Sequence, residues 1–187
     1  MLEFRDIFEY VCFLIKPSPD GPFIAGGTPM RIVGNMDTHG HDIDIWCTST
    51  DQFNHISSIF DSFKLDVFIT KNASTYKIPF QDELHLVQVI NKIVDNRVDC
   101  VSDFDIRACK VVYDGEFHYS KNTYNDIINK NIFFDNFSEN SIARLTKYVG
   151  YGFKPDYKTI EAVIDRVRTL GCEVFESTVS EDYGQLT

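Results

Sequence analysis

A chain of 187 residues with 43% hydrophobic and 14% aromatic content carries enough apolar material for a packed core, which excludes a largely disordered chain. Its net charge of −10 argues against broad nucleic-acid binding. The longest apolar run near the N-terminus, 10–15, is too short to span a bilayer, and Glu3, Asp6 and Glu9 ahead of it do not suit a secretory signal, so no membrane partner is expected.

Residues 2–16 place Phe4, Ile7, Phe8, Val11, Cys12 and Ile15 at helical spacing, and the turn cluster PSPDGP ends that helix. Phe23 to Ala25 reads as a short strand stopped by Gly26-Gly27. Asp42 to Cys47 alternates polar and apolar as a strand does. Thr48-Ser49-Thr50 offers an N-cap to a helix striped by Phe53, Ile56, Ile59, Phe60 and Phe63. Lys64 to Thr70, Thr75 to Phe80 and Leu84 to Ile90 read as strands, the last two joined by a turn at 81–83. A short helix is expected over 91–100, then a β-rich stretch from Phe104 to Tyr113 that closes at Asp114-Gly115, with 117–119 returning as a hairpin. Tyr124 to Asn131, Ser138 to Tyr151 and Asp156 to Leu170 have helical period. The expected class is α+β: a mixed β-sheet core flanked by helices over 1–120, a helical C-terminal portion over 121–170 packed on that core, and an acidic tail over 171–187.

Charge is unevenly spread. Residues 144–168 carry six basic and three acidic residues, against an acidic body. Such a segment suits a polyphosphate or, equally, a solvated helix face. Five cysteines, odd in number and without CxxC spacing, point to buried reduced thiols in a cytoplasmic protein.

The segment from Phe23 to Trp46 concentrates the chemistry. Glycines after a strand let backbone N–H groups approach an anion, although Gly-Gly alone is more often a plain tight turn. Asp42 and Asp44 stand at i and i+2, so a strand projects both carboxylates from one face. Two like charges held there call for a counter-charge, and oxygen ligands suit Mg²⁺ or Mn²⁺. A wet edge strand is the bland alternative. His39 and His41 supply too few ligands of the right type for zinc.

Together, strand, Gly26-Gly27-Thr28, a helical segment with Arg31, and Asp42-Ile43-Asp44-Ile45 resemble the signature of the nucleotidyltransferase superfamily, the polymerase-β-like fold of poly(A) polymerases and CCA-adding enzymes. Fourteen residues separate Gly27 from Asp42, slightly more than is usual there, and Thr28 stands where many members keep serine. Later features, Thr75-Tyr76, 86–90, Phe104-Asp105-Ile106, Arg144 to Tyr148 and Gly152-Phe153, are similar to small, often phage- or virus-encoded members. The resemblance implies transfer of a nucleoside monophosphate from an NTP, with ATP favoured, to an acceptor hydroxyl, releasing pyrophosphate. It implies Asp42 and Asp44 as catalytic metal ligands for Mg²⁺ or Mn²⁺ and a third carboxylate on a neighbouring strand. Asp105 is favoured there over Asp66. Gly26, Gly27 and Thr28 would hold phosphates. Arg31 would add a contact or make a structural salt bridge. Lys147, sharing a helix face with Arg144 and Tyr148, would reach the triphosphate or belong to a solvated basic face.

The acceptor stays open among a tRNA-sized RNA, a protein hydroxyl and a small molecule. A non-catalytic module of the same fold, acting as inhibitor or adaptor, is the alternative. Its location is expected to be cytoplasmic, in the host if the chain is phage-encoded. A hydrolase reading lacks a nucleophile or a His-rich cluster.

Overall fold

Alternation in one short strand decides which way the central sheet faces. In β2 (Ile43–Cys47), Ile43, Ile45 and Cys47 are buried while Asp44 and Trp46 are only partly so. A slip of one residue would expose both isoleucines, at about 1.5–3 kcal/mol each, and bury Asp44. The register is therefore strongly specified. The structure, a computed structural model, describes residues 4–63, 67–137 and 140–170.

Two compact units divide the chain. The first comprises 1–103 and 109–120, the second 104–108 and 121–187. Among the described residues the first unit contains a seven-stranded sheet. It is built from β1 (Phe23–Ala25), β2, β3 (Val67–Ile69), β4 (Ala73–Phe80), β5 (Glu83–Ile93), β6 (Val112–Tyr113) and β7 (Phe117–His118), in the order β3-β4-β5-β2-β1-β6-β7. The β2–β5 pair is parallel and the others are antiparallel. Gln81 and Asp82, at φ 49° and 66°, make the tight β4–β5 turn, a conformation that suits the right-handed twist of the flanking strands.

One face of this sheet is the core. Ile24, Ile43, Ile45, Cys47, Tyr76, Ile78, Val87 and Val89 pack there with Ile7, Phe8, Val11 and Ile15 of α1 (Ile7–Ile15) and with Ile56 and Phe60 of α3 (Thr50–Asp61). Both helices are capped as their sequences suggest. Asp6 accepts from the Glu9 N–H, and Ser49 from the Gln52 N–H. The short helices α2 (Gly27–Val33) and α4 (Arg97–Ser102) belong to the same unit.

The second unit is helical: α5 (Lys121–Asn129), α6 (Ser141–Gly150) and α7 (Tyr157–Leu170), with β8 (Asn131–Ile132) and β9 (Lys154–Pro155) paired in parallel. Arg107 is clamped to buried Asp126 through Nε at 2.6 Å and a second nitrogen at 3.1 Å, and lies over the Phe133 ring. The fold is α+β with a mixed sheet and a helical C-terminal part, as the residue patterns led us to expect.

Two local expectations need correction. β5 runs on to Ile93, so the following helix begins at Arg97 rather than near 91; Asn96 caps it, accepting from the Val98 and Asp99 N–H groups. The segment from Phe104 is not a sheet strand. It forms an isolated bridge, Ile106 with Phe134, then a 3-10 turn over Arg107–Cys109, and only Val112–Tyr113 joins the sheet. The cause is visible in its hydrogen bonds: Asp105 accepts the Ile106 N–H on its own side chain, and its carbonyl accepts from Asp135. The acidic tail, Cys172 included, lies outside the described residues.

Candidate active site

The glycine turn grows out of β1. Gly26 adopts φ 101° and ψ −133°, a conformation essentially reserved for glycine, and its N–H donates to the Val111 carbonyl at 3.1 Å. This lets the chain leave the buried strand and start α2 at once. Pro29 stands in the first turn of α2, where it sacrifices no intrahelical hydrogen bond.

Thr28 then joins the two halves of the motif. Its side chain is 2% exposed and its Oγ1 donates to the Asp42 carbonyl at 2.6 Å. The turn and the carboxylate strand, separated by 14 residues of sequence, are therefore tied at their bases. Arg31 is 6% exposed and donates to the Asp37 carbonyl at 3.0 Å, which braces the intervening loop from inside. In that loop Asp37 accepts the His39 N–H, and His39 Nδ1 lies 3.4 Å from Glu83 at the β4–β5 turn.

Asp44 stands on the face of β2 opposite Ile43 and Ile45, Asp42 immediately precedes the strand, and both are half-buried. Asp42 Oδ2 accepts from the Gln88 side-chain amide at 3.2 Å. The parallel register sets Gln88 of β5 against Asp44, and the next register sets Thr75 of β4 against Gln88. Sequence reasoning did not single out Gln88. The available signal was a lone carboxamide within the apolar run 86–90. Burial pushes the Cys100 thiol of α4 well above its ordinary value, with the charges of Asp99 and Asp44 adding to the effect. That thiol stays neutral and is a packing group.

The remaining expected site residues fall in the second unit. Asp105 is 3% exposed. Its Oδ1 accepts from the Ile106 N–H and from Arg144, each at 2.8 Å, and its Oδ2 accepts from Ser141 at 3.0 Å. Lys147 is exposed on α6, while Tyr148 of the same helix is packed, its ring 5.6 Å from that of Phe153. Asp66 lies outside the described residues.

Among the described residues, no group of three or more His, Cys, Asp or Glu side chains is arranged to hold a metal ion. The donors on the sheet face are two carboxylates and a carboxamide. The two carboxylates offer oxygen ligands, and they suit Mg²⁺ or Mn²⁺, which need only one or two protein carboxylates when substrate phosphates complete the coordination shell. Among the described residues no helix is long and apolar enough to cross a membrane.

Comparison with known proteins now adds to this geometry. A family model described as "Gad2: Gabija anti-defense 2 family protein" matches residues 3–130. No curated protein matches the sequence. Among solved structures, the CCA-adding enzyme of Bacillus stearothermophilus in complex with CTP superposes with a TM-score of 0.55 at 12% identity, over 78% of this chain and 39% of that one. The Thermotoga maritima CCA-adding enzyme complexed with tRNA gives 0.57 at 11% identity, over 90% and 47%. A tRNA-processing enzyme in an apo form gives 0.59 at 12%, over 91% and 49%. The chain thus spans less than half the length of these structures and shares their nucleotidyltransferase-like fold.

Proposed function

The chain belongs to the Gabija anti-defense 2 family, and from that premise we propose that it acts against the Gabija defence as a divalent-metal-dependent nucleotidyltransferase, moving a nucleoside monophosphate from an NTP to an acceptor hydroxyl. The observation that carries this is the Thr28 hydroxyl bound to the Asp42 carbonyl, which fastens a phosphate-sized glycine turn to a strand bearing two carboxylates. A plain tight turn and a wet strand would have no need of that tie.

In this mechanism the backbone N–H groups at Gly27 and Thr28 hold the β- and γ-phosphates, and Gly26, whose own N–H is bound to the Val111 carbonyl, shapes the turn that presents them. Arg31 keeps the turn and the loop before Asp42 in one arrangement. Asp42 and Asp44 would hold Mg²⁺ or Mn²⁺. A metal held there would offset the charge of the triphosphate and would lower the pKa of the attacking hydroxyl. The acceptor oxygen bonds to the α-phosphorus as the bond to the bridging oxygen breaks, and pyrophosphate leaves. Most of the catalysis is then positioning and charge stabilisation. ATP is the first nucleotide to try. The acceptor is a hydroxyl of a Gabija protein, a tRNA-sized RNA or a small molecule, in the cytoplasm of the defended cell.

The test supplies each labelled NTP and Mg²⁺ to the purified chain with Gabija proteins or total cell RNA. Transfer of label that disappears in Asp42→Asn and Asp44→Asn supports the enzyme. A chain that blocks Gabija equally well with both aspartates replaced is instead a binding inhibitor. The family's anti-defence name and the low identity to the CCA-adding enzymes favour keeping that second possibility in the experiment.

A further inference from the structure

Gln88 breaks an apolar run along β5. It interrupts Leu86, Val87, Val89 and Ile90, and Val87 and Val89 on either side are completely buried. Its backbone is set against Asp44 on one side and Thr75 on the other, and its side-chain nitrogen reaches Asp42 Oδ2 at 3.2 Å. The amide must turn its nitrogen to that oxygen, since two acceptors facing one another would repel. Gln88 therefore restricts the rotation of Asp42 while adding no charge to a face that already carries two carboxylates. An aspartate or glutamate here would place a third negative charge against them, raising both their mutual repulsion and their pull on any free cation.

We propose that Gln88 is a positioning residue that holds Asp42 across the β2–β5 pair and, by its neutrality, makes the site take up its divalent cation together with a nucleoside triphosphate rather than alone. This rests on the metal–triphosphate site of the function proposed above. Such partners of metal ligands influence affinity about 10–100-fold. The triphosphate supplies the negative charge that a neutral Gln88 does not.

The test measures Mn²⁺ binding to the full chain by electron paramagnetic resonance, with and without a non-hydrolysable ATP analogue. The wild type is expected to bind Mn²⁺ at least tenfold more tightly with the analogue than without it. Gln88→Glu should raise affinity for Mn²⁺ alone tenfold or more and so shrink that ratio. Gln88→Leu should weaken Mn²⁺ binding with the analogue about 10–100-fold at an unchanged melting temperature, and Gln88→Asn should fall between. An unchanged nucleotide-free affinity in Gln88→Glu, or wild-type binding by Gln88→Leu, overturns the assignment. Gln88→Glu and Gln88→Asn carry the test if the leucine variant does not fold. Binding that follows this pattern without label transfer to any acceptor defeats the transferase and leaves Gln88 assigned. Label transfer with Mn²⁺ affinity indifferent to residue 88 does the reverse.

Discussion

Carboxylates stand in contrasting surroundings in the two units. On the sheet of the first, Asp42 is half-buried and its Oδ2 accepts from a neutral amide. In the second, Asp105 is 3% exposed and accepts from a backbone N–H, a hydroxyl and a guanidinium, while Asp126 is clamped by Arg107. Buried charge is tolerable only when it is compensated this thoroughly, and a residue so compensated is committed to structure. A carboxylate met by one neutral donor keeps lone pairs in reserve. The contrast separates a group that holds its unit together from one that can bind something, although each of the two aspartates, Asp105 and Asp42, is followed by an isoleucine.

Substituting the two kinds of aspartate should break function in one case and stability in the other. Asp42→Asn or Asp44→Asn is expected to lower nucleotidyl transfer on the order of 100-fold or more, the scale of losing one electrostatic contact to a transition state, with little change in melting temperature. Transfer at wild-type rate in both variants would remove them from the catalytic site.

Asp105→Ala should act the other way round. It withdraws an acceptor from Ser141, Arg144 and the Ile106 N–H together. Arg144 is half-exposed, so solvent recovers much of its share, and the loss should be about 1–3 kcal/mol. For a chain of this size that is a fall of about 2–4 °C in melting temperature per kcal/mol, read by calorimetry. Loss of Mn²⁺–nucleotide binding in Asp105→Asn at an unchanged melting temperature would instead make it a metal ligand.

Most of the first unit was legible because its periods are clean. Ile43, Ile45 and Cys47 alternate with Asp44 and Trp46, and the α3 stripe follows a Ser49 cap. The glycine turn and the two aspartates were legible because their chemistry is local. What could not be read was long-range. Phe104 to Ile106 has the composition of a strand, yet its hydrogen bonds go to Asp135 and α6 rather than to the sheet. Gln88 was missed for a related reason: its role exists only once the β2–β5 register sets it beside Asp42, 46 residues away. For Arg31 the sequence left a phosphate contact and a salt bridge equally open, and its burial with a bond to the Asp37 carbonyl is a tertiary fact.

A further aspartate tests whether compensation, rather than membership of a unit, is the deciding property. Asp114 is in the first unit, yet it is 4% exposed and bonded to Arg97 at 2.7 Å and His118 at 2.8 Å. Burial opposes its ionisation, but hydrogen bonds from Arg97 and His118 outweigh that and hold its carboxyl below the ordinary value. A depressed folded value gives stability that is present above the unfolded pKa, near 3.9, and is lost as pH falls through the lower folded value. The wild type should therefore lose stability below about pH 4 more steeply than Asp114→Asn, as urea titrations across that range would show. Parallel curves would mean that the ion pair contributes nothing to acid sensitivity.

The smallest effect is expected at Lys147, and α6 supplies its own controls. Arg144 is bonded to Asp105, Tyr148 is packed on Phe153, and Lys147 is exposed between them. An exposed lysine without a structural task changes stability by no more than about 0.5 kcal/mol when truncated. Lys147→Ala should thus leave the melting temperature unmoved, whereas Tyr148→Ala, which empties a buried aromatic site, should cost about 3–5 kcal/mol. If Lys147 also serves the nucleotide, the same variant weakens NTP binding several-fold at that constant stability, a split that packing alone does not produce. Unchanged NTP affinity would make Lys147 part of a solvated face and confine nucleotide recognition to residues other than it.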